Sequence, residues 1–450
     1  MTTAAGAAGG CATRGVFSTG GSMIGYADKP MSELRIGLIG VSRGWAAMDF
    51  LLMPHCRIVC VCDVTEERAN GAAAYIKAKT GVAPDVYTGD EDYKRVCERD
   101  DVDLVYNATP WQLHVPIALY AMRHGKHVAT EVPSAFTVED CWELVETSEA
   151  TRRHCIQLEN CCYGETEMLA LNLVRQGLLG EIVHGEGAYI HDLREWNYGK
   201  FNPKSAMNNY WNYWRLKWNV AHGGNQYPTH GLGPIAMDMD INRGDRFDFV
   251  VSVDSKQAGF REFAAAKYGA DSWEARTQPK MGDMNSSIIR TVKGRTILVQ
   301  HDVGTARPYD RLNLIQGTRG ILQDYPFRCA FETEVGKGVH EYDAKFAAEV
   351  REKYKHPLWK QAGEIAQKVG GHGGMDFLML LKLAYNLQAG RPVDNDVYDL
   401  ASWCCLCELT EKSADNRGRS MDIPDFTNGG WKTQNPIPIE GVDLAMMGLA

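Results

Sequence analysis

Residues 34–44 read Leu-Arg-Ile-Gly-Leu-Ile-Gly-Val-Ser-Arg-Gly. A short apolar run enters a turn at Gly40, and a helical pattern follows over 45–53. That order suits a dinucleotide-binding unit, in which a tight turn lets the backbone approach a pyrophosphate at a helix N-terminus. The full fingerprint is Gly-x-Gly-x-x-Gly; here Ser42 stands for the middle glycine, or the turn is one residue short. Asp63 ends the next apolar run, 57–64, at the distance expected of the carboxylate that holds the adenosine ribose. Val64-Thr65-Glu66 follow with no arginine to receive a 2′-phosphate, which favours NAD over NADP. An ordinary strand-end carboxylate is the alternative for Asp63.

Outward from this unit the alternation continues. Helical patterns at 66–79, 115–124 and 139–152 separate apolar strands at 103–108, 127–131 and 155–159. Strands alternating with helices of this length predict a parallel Rossmann-type sheet over 34–160. Trp111, Gln112, Leu113 and His114 leave the carboxyl end of one strand, where open parallel sheets bind ligands. His114 fits a helix-packing role equally well. From about Cys161 the rhythm changes, with strand-like runs at 181–191, 246–253, 286–292 and 296–301. Residues 161–450 are therefore expected to form an α+β domain on a largely antiparallel sheet. An apolar helix over 375–388 is stopped by Gly390. The stretch 193–224 is long and aromatic, which suits an ordered functional loop or a packed one.

Composition narrows the partners. The chain has 450 residues, a formal charge of −9, 44% apolar and 23% charged residues, with no basic stripe. Those values suit a globular protein and argue against nucleic acid. No apolar run is long enough to span a membrane. Residues 1–33 read as a disordered leader or the remnant of a longer signal. The location is cytoplasmic as the sequence stands, and exported if that segment is the remnant of a twin-arginine signal. The thirteen cysteines lack a disulfide spacing and read as reduced, buried residues. Cys404-Cys405-Leu406-Cys407 has no zinc-ligand spacing, so no metal is expected.

Longer motifs narrow the chemistry. They are Gly125 to Pro133 (Gly-Lys-His-Val-Ala-Thr-Glu-Val-Pro), Leu158-Glu159-Asn160, Ala188 to Arg194, Tyr227 to Pro234 (Tyr-Pro-Thr-His-Gly-Leu-Gly-Pro), 241–247, Arg307-Pro308-Tyr309 and 370–377 (Gly-Gly-His-Gly-Gly-Met-Asp-Phe). In these the chain closely resembles glycoside hydrolase family 109, the NAD-dependent α-N-acetylgalactosaminidases of the Gfo/Idh/MocA oxidoreductase superfamily. The match runs from Leu34 to about Trp431. The resemblance implies NAD contacts at Ser42, Arg43, Gly44, Asp63, Trp111, Gln112, Leu113, His114, Glu131, Val132 and Asn160. It implies sugar contacts at Tyr189, Arg215, Tyr227, Pro228, Thr229, His230 and Tyr309. The family's turn usually reads Gly-Val-Gly-x-Arg-Gly, so the turn here departs from it. By analogy with the superfamily, a homo-oligomer is expected.

The resemblance also implies a redox route to hydrolysis of a terminal N-acetylhexosaminide, with α-N-acetylgalactosamine the leading case. Oxidation at C3 acidifies the C2 proton, its loss expels the aglycone from C1, water adds, and C3 is reduced again. Ordinary sugar dehydrogenases of the superfamily use the Lys of a Glu-Lys-Pro triplet and an Asp four residues before a His. Those positions hold Val132 and Gln226, which do not titrate. His230 remains, and with Tyr227 and Tyr189 it forms the expected acid–base set. His230 also fits a buried turn histidine, and Tyr189 a core position. A net NAD-dependent sugar dehydrogenase is the competing reading. A catalytically silent sugar- or NAD-binding regulator is the third.

Overall fold

Six short strands carry the first half: β1 (Leu34–Ile39), β2 (Cys56–Cys62), β3 (Asp85–Tyr87), β4 (Leu104–Asn107), β5 (His127–Thr130) and β6 (Cys155–Gln157). The computed structural model describes residues 20–199 and 210–449. All six strands are parallel, in the order β3-β2-β1-β4-β5-β6. β1, β4 and β5 are buried almost throughout because helices cover both faces. The order reverses between β1 and β4, so a crevice opens beyond their carboxyl ends. Residues 40–44, 107–114 and 131–133 enter it. At its floor Gly40 has φ 85°, and a Cβ there would lie 2.5 Å from the carbonyl oxygen of Ala108. Only glycine allows that approach.

The second sheet has eight strands: β7 (Ile182–Ile190), β8 (Phe247–Asp254), β9 (Asn285–Thr291), β10 (Thr296–Asp302), β11 (Leu314–Gly317), β12 (Gly320–Gln323), β13 (Arg328–Phe331) and β14 (Met421–Asp422). Their order is β13-β12-β11-β7-β10-β9-β8-β14. Every neighbouring pair is antiparallel except β7 with β10. The expected architecture, a Rossmann-type sheet and a largely antiparallel one, is what the chain forms.

Three expectations need correction. Residues 45–53 were expected to form an α-helix. Trp45–Leu52 is instead a 3₁₀ segment after one α-turn at Val41–Gly44. Its sequence, Trp-Ala-Ala-Met-Asp-Phe-Leu-Leu, is too evenly apolar to form one helical stripe. Second, the leader does not extend to residue 33. Met23 is buried, its amide donates to the Tyr398 hydroxyl at 2.9 Å, and Asp28 pairs with His127 and Arg153. Residues 1–19 lie outside the described residues. Third, the division at 160/161 is not a division in space. The helix Met375–Ala389 lies against β1 and the Trp45–Leu52 segment, and the helix Val397–Cys404 against Val138–Thr151 and β6. The later sequence therefore completes the packing of the first sheet.

One contact sets the two halves of the second domain's site. The helix Thr229–Asp238 crosses β7 so closely that a Cβ on Gly187 would lie 2.1 Å from the Gly231 carbonyl oxygen. A Cβ on Gly231 would meet the Ala188 amide nitrogen at 2.2 Å. This backbone contact brings Tyr227 and His230 beside Tyr189. Overpacking of this kind costs about 1–3 kcal/mol. Gly187→Ala is therefore expected to lower the thermal midpoint, and to reduce activity beyond the loss of folded protein, as seen by scanning calorimetry beside an activity assay at a temperature where the variant stays folded.

Candidate active site

The carboxyl ends of β1 and β2 meet through Asp63. One carboxylate oxygen accepts from the Val41 amide and the other from the Thr65 amide, each at 2.8 Å. Asp63 thus fixes the Gly40 turn. The structure fits a dinucleotide here in two respects: a cradle that a side chain at Gly40 would fill, and a fixed carboxylate at the ribose position. Gly44 packs less tightly, a Cβ there lying 3.0 Å from Leu38 and 3.2 Å from Ala108 side-chain atoms. Ser42 is half-buried beside it.

Arg43 leaves the same turn and joins three parts of the chain. Its Nε lies 3.1 Å from Glu131, and its two terminal nitrogens bind the two oxygens of Asp376 at 3.0 and 3.1 Å. Asp376 also accepts from Asn160 Nδ2 at 2.6 Å and pairs with His372 Nδ1 at 2.9 Å. Burial works against its charge, but His372 and Arg43 hold its carboxyl well below the usual range. Burial pushes the Glu131 carboxyl up, opposed by Arg43. Three residues expected around NAD, Arg43, Glu131 and Asn160, therefore belong to one network. Asp376 and His372 were quoted within a motif but given no role. The glycines on either side of His372 were the available signal: Gly370, Gly371, Gly373 and Gly374 all have positive φ, as does His372 itself.

The expected run 111–114 separates into parts. Gln112 and Leu113 are exposed at the crevice. His114 is buried, with Nδ1 2.7 Å from the Pro133 carbonyl oxygen and Nε2 2.9 Å from that of Thr109. Burial pushes its pKa down to about 4. The ring lies between the Thr109 carbonyl and the Val132–Pro133 peptide, which is cis, and in its neutral form donates to one of the two carbonyls. Trp111 instead centres an aromatic cluster, with ring centroids 5.0 Å from Phe136, 5.0 Å from Trp214 and 5.9 Å from Tyr227. Val132 is buried in that cluster. Gln226 is structural too: it accepts from Trp218 Nε1 at 2.9 Å and donates to the carbonyls of Gly223 and Cys407.

Beside the cluster stand the expected sugar residues. Tyr189 and Tyr227 have ring centroids 4.4 Å apart, and His230 meets both edge-on at 5.2 and 4.8 Å. The Arg215 guanidinium lies 4.8 Å from the Trp111 ring, 5.1 Å from Tyr227 and 5.9 Å from Tyr189. Pro228 and Thr229 open the helix that carries His230, and both are buried. Tyr309 is half-buried, its hydroxyl accepting from Arg311 at 3.1 Å. Burial pushes the Tyr189 and Tyr227 hydroxyls above their ordinary value, so both keep their protons at neutral pH.

His230 has a partner that the sequence did not reveal. Its Nδ1 lies 2.7 Å from Glu159 Oε1, and Glu159 is wholly buried. Burial would raise that carboxyl, but His230, Thr229 and the Cys161 amide hold it below its usual range. An ionised carboxylate at Nδ1 makes that nitrogen the donor, which leaves the Nε2 lone pair free to accept a proton. Glu159, Cys161 and His230 also form a three-ligand group with atoms within 4.8 Å of one another. In this structure two of its members are joined by their own hydrogen bond.

A Rossmann crevice with a buried carboxylate fixed at the end of β2, beside a ring of aromatic and polar groups on a largely antiparallel sheet, is the architecture of a nucleotide-dependent enzyme with a second, substrate-binding domain. Family models agree with each half: "Oxidoreductase family, NAD-binding Rossmann fold" matches residues 34–158 and "Glycosyl hydrolase 109, C-terminal domain" matches 163–433. A glycosyl hydrolase family 109 protein of Shewanella sp. (strain W3-18-1) is 44% identical over 427 residues, covering 94% of this chain and 91% of its own. An alpha-N-acetylgalactosaminidase of Shewanella oneidensis is 43% identical over 428 residues, covering 94% and 92%. Levoglucosan dehydrogenase, solved with NADH and L-sorbose, shares the fold at TM-score 0.62 and 18% identity, over 88% of this chain and all of its own. The chain belongs to glycosyl hydrolase family 109, as an NAD-dependent glycoside hydrolase.

The Asp376 network supplies a test on the cofactor side. Removing one partner of a buried ion pair leaves the other uncompensated, typically at about 3–5 kcal/mol. Asp376→Ala is expected to release Arg43 and Asn160 and to weaken NAD retention at least tenfold, roughly 1.4 kcal/mol. NAD content after gel filtration and a fluorescence titration would report it, with little change expected in the affinity of the sugar pocket.

Proposed function

We propose that this protein hydrolyses terminal N-acetylhexosaminides, α-N-acetylgalactosaminides foremost, by oxidation at C3 and elimination across C1–C2. The observation that carries the reading is the Glu159–His230 pair beside two protonated tyrosines, Tyr189 and Tyr227, at a site where Val132 and Gln226 offer no other base. The name of the Shewanella oneidensis relative supports the substrate.

When bound, NAD supplies a two-electron acceptor for the sugar and gives the electrons back before product leaves. The chain's own groups do the rest. The O3 proton released as C3 is oxidised passes to water, His230 Nε2 then accepts the C2 proton that the C3 ketone has made acidic, and Glu159 stabilises the imidazolium that results. Tyr189, Tyr227 and Arg215 donate to the sugar oxygens and hold the ring against the Trp111 cluster. Arg43 and Asp63 anchor the cofactor side of the crevice. His372, half-exposed and held by Asp376, belongs with Arg43 and Asn160 to the cofactor side of the crevice. A net dehydrogenase would accumulate NADH on adding sugar and NAD⁺, and this separates the competing reading.

A homo-oligomer also belongs to this proposal. One face of the second sheet is open, with Ile288 and Val253 each more than half exposed and Val251 and Leu298 flanking Ile288 across the strands. An apolar row of that kind suits burial against a second copy. Analytical ultracentrifugation is expected to show a dimer or larger, and Ile288→Glu is expected to shift it toward monomer.

For the reaction itself, General acid–base groups contribute about 10²–10⁴-fold. His230→Ala is expected to lower kcat by that factor with NAD still bound, and turnover in deuterated water is expected to place deuterium at C2 of the released sugar. Product formed without exchange and without dependence on NAD would sink the redox route. Near-normal kcat in His230→Ala would make that histidine structural.

A further inference from the structure

His301 lies at the carboxyl end of β10, in register with Tyr189 on β7. In-register neighbours project from the same face of a sheet, and the two rings stack at 6.2 Å with an interplanar angle of 18°. His301 is 2% exposed, and among the described residues neither of its ring nitrogens has a hydrogen-bond partner. Burial, with the Arg215 charge nearby, pushes its pKa down to about 3. The ring is therefore neutral and presents one donor and one acceptor.

Arg215 shows the same deficit. It is 5% exposed, and one terminal nitrogen donates to the Tyr210 hydroxyl at 2.8 Å. Among the described residues its Nε and Nη2 meet no hydrogen-bond partner in good geometry, although the guanidinium lies close enough to the Tyr189 hydroxyl to lower its pKa against burial. These two nitrogens form one edge of the guanidinium, the edge that grips an oxygen acceptor side-on. Four polar atoms around Tyr189 are thus buried and, among the described residues, unpartnered. The great majority of buried polar atoms are hydrogen-bonded, so a group of four beside a candidate sugar site points to a missing ligand group.

We infer that His301, together with the free edge of Arg215, forms the subsite that reads the 2-acylamino group of the substrate. This rests on the substrate class proposed above and adds the residue that discriminates within it. A secondary amide carries an acceptor oxygen and an N–H donor. The guanidinium edge supplies two donors for the oxygen, and the unprotonated nitrogen of His301 supplies the acceptor for the N–H. A 2-hydroxyl in the same place cannot reach both, and leaves buried donors unpaired. Sites built to hydrogen-bond a polar group discriminate strongly against analogues that lack it. His301 moves no proton in the reaction. It fixes C2, which carries the amide, relative to His230.

The test uses NAD-loaded full-length protein and two free sugars, N-acetylgalactosamine and galactose, titrated by calorimetry. Wild type is expected to prefer the N-acetyl sugar. His301→Phe keeps the ring stacked on Tyr189 and removes both ring nitrogens. It is expected to lose about tenfold or more of that preference. His301→Gln, which keeps a donor and an acceptor, is expected to regain part of it. Thermal midpoints and NAD content identify folded variants. A folded His301→Phe or His301→Gln with both affinities at wild-type values would overturn the subsite, as would a His301→Phe that loses both sugars equally. No preference in wild type would overturn the substrate class itself, and the subsite with it.

Discussion

The Glu159 carboxylate has no contact with solvent, and it stays ionised only because it is paired. A buried charge of this kind is strongly destabilising unless its partners stay in place. Its partners are the Cys161 amide, Thr229 and the ring of His230. That requirement fixes the site. The end of β6 has to stay beside the start of the helix Thr229–Asp238, and that helix has to stay on β7 through Gly187 and Gly231. Asn160, the next residue, turns the other way and binds Asp376. Two consecutive side chains therefore tie the acid–base group to the cofactor network.

The C-terminal helices make this possible. Asp376 stands in the first turn of Met375–Ala389, a helix buried on nearly every side. Its carboxylate is favourably placed at a helix N-terminus, and the cation it holds, Arg43, comes from the turn after β1. A helix far along the sequence thus supplies the counter-charge to the nucleotide turn. The turn lacks one glycine of the usual fingerprint, and the Arg43 bridge is a local constraint on it that does not depend on that glycine.

Much of this was legible in the chain, for physical reasons that also explain what was not. β1, β2 and β4 are mostly apolar runs because both faces of their sheet are covered, while β5 and β6 are short and carry polar residues at their ends. β3 has three residues, none fully buried, and left no such run. β11, β12 and β13 have four residues each, too few to establish a period of two. The boundary at 160/161 follows the sequence but not the packing, since pattern does not reveal that 375–389 and 397–404 fold back on the first sheet. Among site residues, Asp63 could be expected from its place at the end of a strand, and Arg43 and Asn160 from the family resemblance. Glu159 and Asp376 could not, because a carboxylate that acts through another side chain has no spacing of its own. His301 reads as one of three consecutive polar residues, Gln300 to Asp302, at the end of a strand, and only the register with Tyr189 gives it a neighbourhood.

The site is defined as much by the charges it lacks as by those it holds. At the positions where the superfamily's dehydrogenases keep Lys and Asp stand Val132, packed among aromatic rings, and Gln226, hydrogen-bonded to Trp218 and two carbonyls. Around the sugar face the remaining groups are protonated tyrosines, a neutral His301, and Arg215 with unfilled donors. In so dry a setting a lysine ammonium close to Arg215 would meet a like charge with little water to screen it. Val132 avoids that repulsion, and in the proposed reaction proton transfer falls to an imidazole held by a buried carboxylate. An imidazole can take a proton at one moment and return it at the next near neutral pH. A reaction that oxidises a carbon, uses the acidity this creates, and then reduces the same carbon needs such a reversible proton carrier. A net dehydrogenation does not.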